Sequence, residues 1–422
     1  MLDNEYVSIL TILMFSDNNV DFQLLNQPNR IMKIDNLLKI IECSHINFLF
    51  GAGLSCPYLK SLGPIEKFLT KAVEWDENPF EQKCVRCNLL QQYFKGVMEP
   101  CLPEATGNMQ QKNIVINNYR TFLQIVNHII ANRNTNVLDK QINIFTTNID
   151  NFVELAAEAT GVEFNDGFKG HLNPIFSEDT FSQILTRVSP LYHTPAAVPV
   201  FNYLKIHGST TWKVIQDDHI GYDSTLTTVR NLSETFKDGI YKEIPLSKQI
   251  GEEWEDKSFE EYVHDVKESN LYASDKFLSE YRNLVMINPR KAKFRESVID
   301  NHFYELMRLY SNALEKPNSV LFVAGFSFAD EHIAKITLRA ANSNPTLQII
   351  VFAYNEKAKH DITRCLLGGK TAINSNIKIL SPNEFRTQQG TEKDTQDVFK
   401  DLNTFDLRSI NTYVFSKIWC KI

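Results

Sequence analysis

Short apolar runs at 46–50, 141–146, 199–206, 283–288, 319–324, 346–353 and 376–380 alternate with segments of helical periodicity, and this alternation restricts the fold more than any other feature of the sequence. A strand that is apolar at every position must be buried on both faces, which happens in parallel sheets covered by helices rather than in half-exposed antiparallel ones. The spacing predicts helices over 64–75, 150–160 (stopped by Gly161), 295–315, 329–341 and 355–366, the third with Phe303, Leu306, Met307, Tyr310 and Leu314 on one face. The expected fold class is α/β, a doubly wound Rossmann-like parallel sheet with helices on both sides. Two segments interrupt the rhythm: a helical insertion at about 64–135 and a polar, acidic, partly helical one at about 213–280. Residues 1–31 fit no core element and read as a peripheral arm, 32–385 carry the sheet, and 386–422 form a partly helical tail.

Composition narrows the classes. A chain of 422 residues, 43% hydrophobic, can bury one large core or two ordinary ones. The net charge of -7 and pI of about 5.9 argue against direct nucleic-acid binding, which normally shows as a basic face. Seven scattered cysteines, an odd number, fit a reducing compartment and a cytoplasmic protein rather than a disulfide framework. The apolar run Tyr6–Phe15 is too short to span a bilayer and follows acidic residues where a signal peptide would be basic, so no membrane association is expected.

In doubly wound sheets ligands sit beyond the carboxyl ends of the strands, and the unusual stretches of this sequence fall there. "GAGLS" (Gly51–Ser55) follows a buried run and precedes a helical segment, a setting in which backbone N–H groups and a helix N-terminus can hold a pyrophosphate. It departs from the dehydrogenase fingerprint at Cys56, which disfavours hydride transfer. "TTNID" ends one strand at Asn148 and "KIHGSTTW" ends another at His207, each an uncharged group able to do chemistry. "VAGFSF" breaks a buried strand at Gly325, and "FAYNEKA" carries Asn355 at the start of a helix.

"GAGLS", "TTNID", "KIHGS" and "GFSFADEHI" occur in the order seen in the sirtuin superfamily, and the second and fourth look most like its bacterial antiviral NAD-cleaving branch. The resemblance covers roughly 46–380 and, within that branch, is most similar to the sirtuin-like subunit that works with a HerA-type ATPase. It implies NAD+ as substrate, a homo-oligomer and an ATPase partner. It also implies roles. Asn148 would orient the ribose and a water through both halves of its amide; His207 would be the general base, since an imidazole takes up protons near neutral pH; Asp150 would hold the nicotinamide carboxamide. Gly51, Ala52, Gly53, Ser55 and Thr147, with Gly325, Ser327 and Asn355 on the adenosine side, would contact NAD. Competing structural readings are helix caps for Asp150, Asp330 and Asn355, and a solvated helix start for the basic cluster at Arg290, Lys291, Lys293 and Arg295.

Two departures matter. Protein-deacylating sirtuins resemble one another in a module of paired Cys-x-x-Cys motifs after the His-Gly motif, yet no cysteine lies between Cys101 and Cys365, and Cys84-Val-Arg-Cys87 stands alone. No metal is expected. The "GIPDFR"-like segment of the deacylating members is replaced by "CPYLKSLGPIEKF". The expected activity is therefore NAD+ hydrolysis to nicotinamide and ADP-ribose in antiphage defence, against two alternatives: an NAD-dependent protein deacylase and a non-catalytic NAD or ADP-ribose sensor.

Overall fold

The computed structural model describes residues 32–422 apart from 57, 61–62, 64, 76–77, 134–137, 216–218, 237–240, 251–252, 270–271, 288–297, 370–372 and 391–396. The expected N-terminal arm, Pro64 and the basic cluster at 290–295 lie outside the described residues.

Seven strands, β1 (His45–Phe50), β2 (Gln141–Thr146), β3 (Glu163–Asn165), β4 (Val200–Lys205), β5 (Ser319–Ala324), β6 (Gln348–Phe352) and β7 (Ile377–Leu380), form one sheet in the order β7-β6-β5-β1-β2-β4-β3. Strands β5, β6 and β7 run parallel, as do β3 and β4. From β1 the order runs outward through β5, β6 and β7 on one side and through β2 and β4 on the other, with the short β3 at the edge, the doubly wound α/β arrangement. Every residue of β4, β5 and β6 is buried, which is why these runs carry no polar alternation.

Two expectations change. Of the run 283–288, the described residues 283–287 form no strand of this sheet: Met286 makes a single antiparallel bridge to Gly208, and Leu284 and Met286 are buried in the apolar cluster that also holds Phe277 and Tyr281. Strand β3 was not expected. Its three half-buried residues are too few to show a period.

The chain divides into two compact units. Among the described residues, the first comprises 32–49 together with those of 125–142 and 310–422. Its core is aromatic: Phe48 stacks on Phe322 at 5.5 Å, and Phe415 meets both edge-on at 5.8 Å. Phe405 lies 5.1 Å from Phe352, so residues of the expected tail are core residues. The guanidinium of Arg133, itself buried, donates to the carbonyls of Ile41 and Ser44 and so satisfies the end of helix Ile34–Cys43.

The second unit comprises 50–124 and 143–309. A row of side-chain amides crosses its strands: Asn202 on β4 donates to Asn143 on β2, and Asn165 on β3 donates to Asn202, both at 3.0 Å. Asn165 and Asn202 are also paired in the ladder, so the amides fix register where apolar side chains alone would tolerate a slip. The two insertions pack together. Helices Ile65–Glu74 and Pro79–Tyr93 join Thr227–Glu234, Phe259–Glu268 and Asp275–Tyr281 around one cluster that includes Phe68, Phe94, Tyr262 and Phe277. Cys84 and Cys87 are buried on the second of these helices, and burial pushes the Cys87 thiol up to about 11. Among the described residues no group of three or more His, Cys, Asp or Glu could hold a metal ion, and no helix is long and apolar enough to cross a membrane.

Phe415 is 2% exposed and has two aromatic neighbours. Phe415→Ala is expected to cost about 3–5 kcal/mol of stability, read as a lowered denaturant midpoint at unchanged slope.

Candidate active site

Strand β1 ends at Phe50, and the chain turns through a single 3₁₀ turn, Ala52–Leu54. The next α-helix among the described residues starts at Ile65, as expected, so the glycine turn is separated from its N-terminus by the residues between. Its leading residues Ala52 and Gly53 are exposed, while Gly51 and Ser55 are buried. Strand β2 ends beside it: the Thr146 hydroxyl and the Thr147 N–H both donate to the Phe50 carbonyl, at 3.1 and 3.3 Å. The Thr146 hydroxyl also accepts from the Asn148 N–H at 3.0 Å, which turns the chain out of the strand.

Asn148 is 6% exposed. Its Nδ2 donates to the Gly51 carbonyl at 3.2 Å, with Ser55 Oγ and Tyr119 Oη each at 3.5 Å. Its Oδ1 is buried without a hydrogen-bond partner. A buried unsatisfied acceptor costs about 1–3 kcal/mol, and such an atom calls for an explanation. The donor half of the amide is thus occupied by the protein, and only the acceptor half is left without a partner.

Asp150 is fully buried. Its Oδ1 accepts from the Phe152 N–H at 3.1 Å, at the start of helix Phe152–Thr160, and its Oδ2 accepts from the Ser55 hydroxyl at 2.9 Å. The N-cap of that helix is Asn151, without a side-chain cap bond, so Asp150 is not its cap: one oxygen turns the chain just before the cap, and the other ties the glycine turn to the asparagine turn. Burial pushes its carboxyl above the ordinary carboxylate value, opposed by Lys205, the Phe152 N–H and Ser55. Lys205, the last residue of β4, is also buried. Its ammonium donates to the Asp150 carbonyl at 2.5 Å and to Glu154 at 2.7 Å.

His207 lies two residues beyond Lys205 in a turn held from both sides. The Ile206 N–H donates to the Thr146 carbonyl and the Thr210 N–H to the Ile149 carbonyl, both at 2.9 Å, so the turns bearing Asn148 and His207 are bracketed together. Gly208 follows with φ of +82°, and a Cβ there would lie 2.2 Å from the Val285 carbonyl oxygen. Only glycine permits this approach, which the Ser209 N–H to Val285 and Ile287 N–H to His207 carbonyl bonds secure.

The second unit thus brings together Gly51, Ala52, Gly53, Ser55, Thr147, Asn148, Asp150 and His207. Gly325, Ser327 and Asn355 belong to the first unit. Gly325, just past β5, has φ of +64°, and Ser327 is exposed. Asn355 and Asp330 cap helices Glu356–Leu367 and Glu331–Ser343 through their side chains. Sequence reasoning missed Tyr119, Lys205 and Glu154. Tyr119 falls on the buried stripe of helix Met109–Ala131 with Val115 and Phe122, where nothing distinguishes a site tyrosine from a core one.

A family model of the SIR2-like domain matches residues 142–370, more than half of the 422. The match contains Asn148 and His207 and leaves Gly51–Ser55 and Tyr119 outside. No curated protein matches the chain.

Two outcomes follow from this geometry. Gly208→Ala is expected to lower the thermal midpoint, with about 1–3 kcal/mol from the backbone conformation alone and the Val285 clash in addition. Asp150 has a folded-state pKa above its unfolded one, so its contribution to stability is fullest below the ordinary carboxylate value and is lost as pH rises through the raised one. Asp150→Asn is therefore expected to unfold at a higher temperature than the parent at pH 7, the gap closing towards about pH 4; parallel midpoint–pH curves would contradict it.

Proposed function

The chain belongs to the SIR2-like family, and from that premise we propose that it hydrolyses NAD+ to nicotinamide and ADP-ribose, with NAD+ depletion in antiphage defence as its purpose. The observation that carries the reading is the Asn148 Oδ1, a buried acceptor at a strand end for which the protein supplies no donor. A ribose hydroxyl is such a donor. Asn148 orients the sugar by accepting from it, and adds no charge beside a ribose that turns positive as the N-glycosidic bond breaks. His207, on the neighbouring strand end, takes the proton from the ribose hydroxyl or from the attacking water. The exposed residues Ala52 and Gly53 suit the pyrophosphate, and Asp150 is the carboxylate nearest in sequence for the nicotinamide amide.

The proposal extends to control. An unrestrained NAD-consuming enzyme would kill its host, so turnover is low in the isolated chain and rises on homo-oligomeric assembly with a HerA-type ATPase.

The test is purified protein with NAD+ and water, followed by chromatography of nicotinamide and ADP-ribose, with and without an acylated peptide and with and without the ATPase. Product formation independent of the peptide is expected, and a requirement for it would favour a deacylase. Saturable NAD+ binding without turnover in any arm would leave a sensor. Asn148→Ala and His207→Ala are expected to lower kcat by about 10²- to 10⁴-fold while NAD+ affinity changes little.

A further inference from the structure

A phenol no motif contains stands next to the asparagine. Tyr119 is 1% exposed; its hydroxyl is 3.1 Å from Ser55 Oγ and 3.5 Å from Asn148 Nδ2, and its ring packs on Phe50 at 6.2 Å. The directions of these bonds can be worked out. Ser55 donates its single proton to Asp150 Oδ2. Ser55 must then accept from Tyr119, and Tyr119, its own proton committed, can only accept from Asn148. Every bond in the row points the same way, from the asparagine amide through the tyrosine and serine hydroxyls to the carboxylate. Burial and the charge of Asp150 keep the Tyr119 hydroxyl protonated, as this direction requires.

We propose that Tyr119 and Ser55 are positioning residues that lock the orientation of the Asn148 amide, so that Nδ2 faces the protein and Oδ1 faces the substrate. Rotated by half a turn, Asn148 would bring Oδ1 against the Gly51 carbonyl, 3.2 Å from the present nitrogen, and against lone pairs of Ser55 and Tyr119. The Gly51 carbonyl alone favours the observed orientation; the two hydroxyls strengthen it and pass on the polarity set by Asp150. Tyr119 touches no reacting atom in this account. It acts through Asn148.

The inference rests on the NAD-cleaving reading, and a mutant cycle separates the two. In the full chain, Tyr119→Phe keeps the ring packing and removes one hydroxyl. It is expected to lower kcat roughly tenfold with KM changed less than about twofold. On the residual rate of Asn148→Ala it is expected to have no further effect, because the amide it orients is gone. An unchanged kcat in Tyr119→Phe, or an equal loss in both backgrounds, would overturn the proposal while leaving NAD cleavage intact. Should the parent release no nicotinamide, that reading falls and unfolding decides the inference separately: Tm shifts of Tyr119→Phe and Asn148→Ala that fail to add support the shared row of bonds, and strictly additive shifts overturn it.

Discussion

One buried ammonium group holds the site together. Lys205 ends β4 two residues before His207, and its Nζ reaches across to the carbonyl of Asp150 and the carboxylate of Glu154. An ammonium removed from water is costly unless its hydrogen bonds are met by close, well-directed acceptors. Here the acceptors come from the turn bearing Asn148 and the first helical turn after it, so the strand end with the imidazole and the turn with the amide cannot separate without stranding a charge. Burial pushes Glu154 up, and Lys205 opposes it. The arrangement reads as a means of fixing geometry more than as a source of net stability.

The three residues at the centre are each fixed in a different direction. Asn148 is bound through its nitrogen to Gly51, Ile149 is 4% exposed within the cluster formed by the two insertions, and Asp150 is held by Ser55, the Phe152 N–H and, through its carbonyl, Lys205. The insertions therefore do more than decorate the sheet. They supply the apolar seat for Ile149, and an amide between two such anchors has little freedom left. This also alters the expectation drawn from the sequence, in which the amide was to serve ribose and water with both of its ends. Its donor end is already bound to the Gly51 carbonyl, so only the acceptor end remains for either of them.

Strands β1, β2 and β4 to β7 are legible in the sequence because burial on both faces removes polar alternation, and Gly161, Asp330 and Asn355 mark helix ends by local chemistry that needs no tertiary information. Asn148 and His207 stand out because small polar residues interrupt apolar runs. What stayed hidden depends on contacts between distant segments. Tyr119 lies 64 residues from Ser55, and Lys205 lies 51 from Glu154. Nothing local to either pair records that they meet. Leu284 and Met286 misled for the same reason: they are apolar because they pack in the cluster of the two insertions, and an apolar run by itself does not say whether its partner is a sheet or a helical cluster.

The first unit has a further consequence, one of timing. Its core joins Phe48 to Phe415, and Gln389 binds the carbonyl of Met32 from 357 residues away. Contacts so remote in sequence form late, because a long stretch of chain must be ordered before they are rewarded. On the ribosome, residues 50–124 and 143–309 emerge ahead of the aromatic residues that complete β1, β5 and β6. The segments that carry Asn148 and His207 are thus made before the one that carries Phe415, and the core of the first unit waits for the last helix.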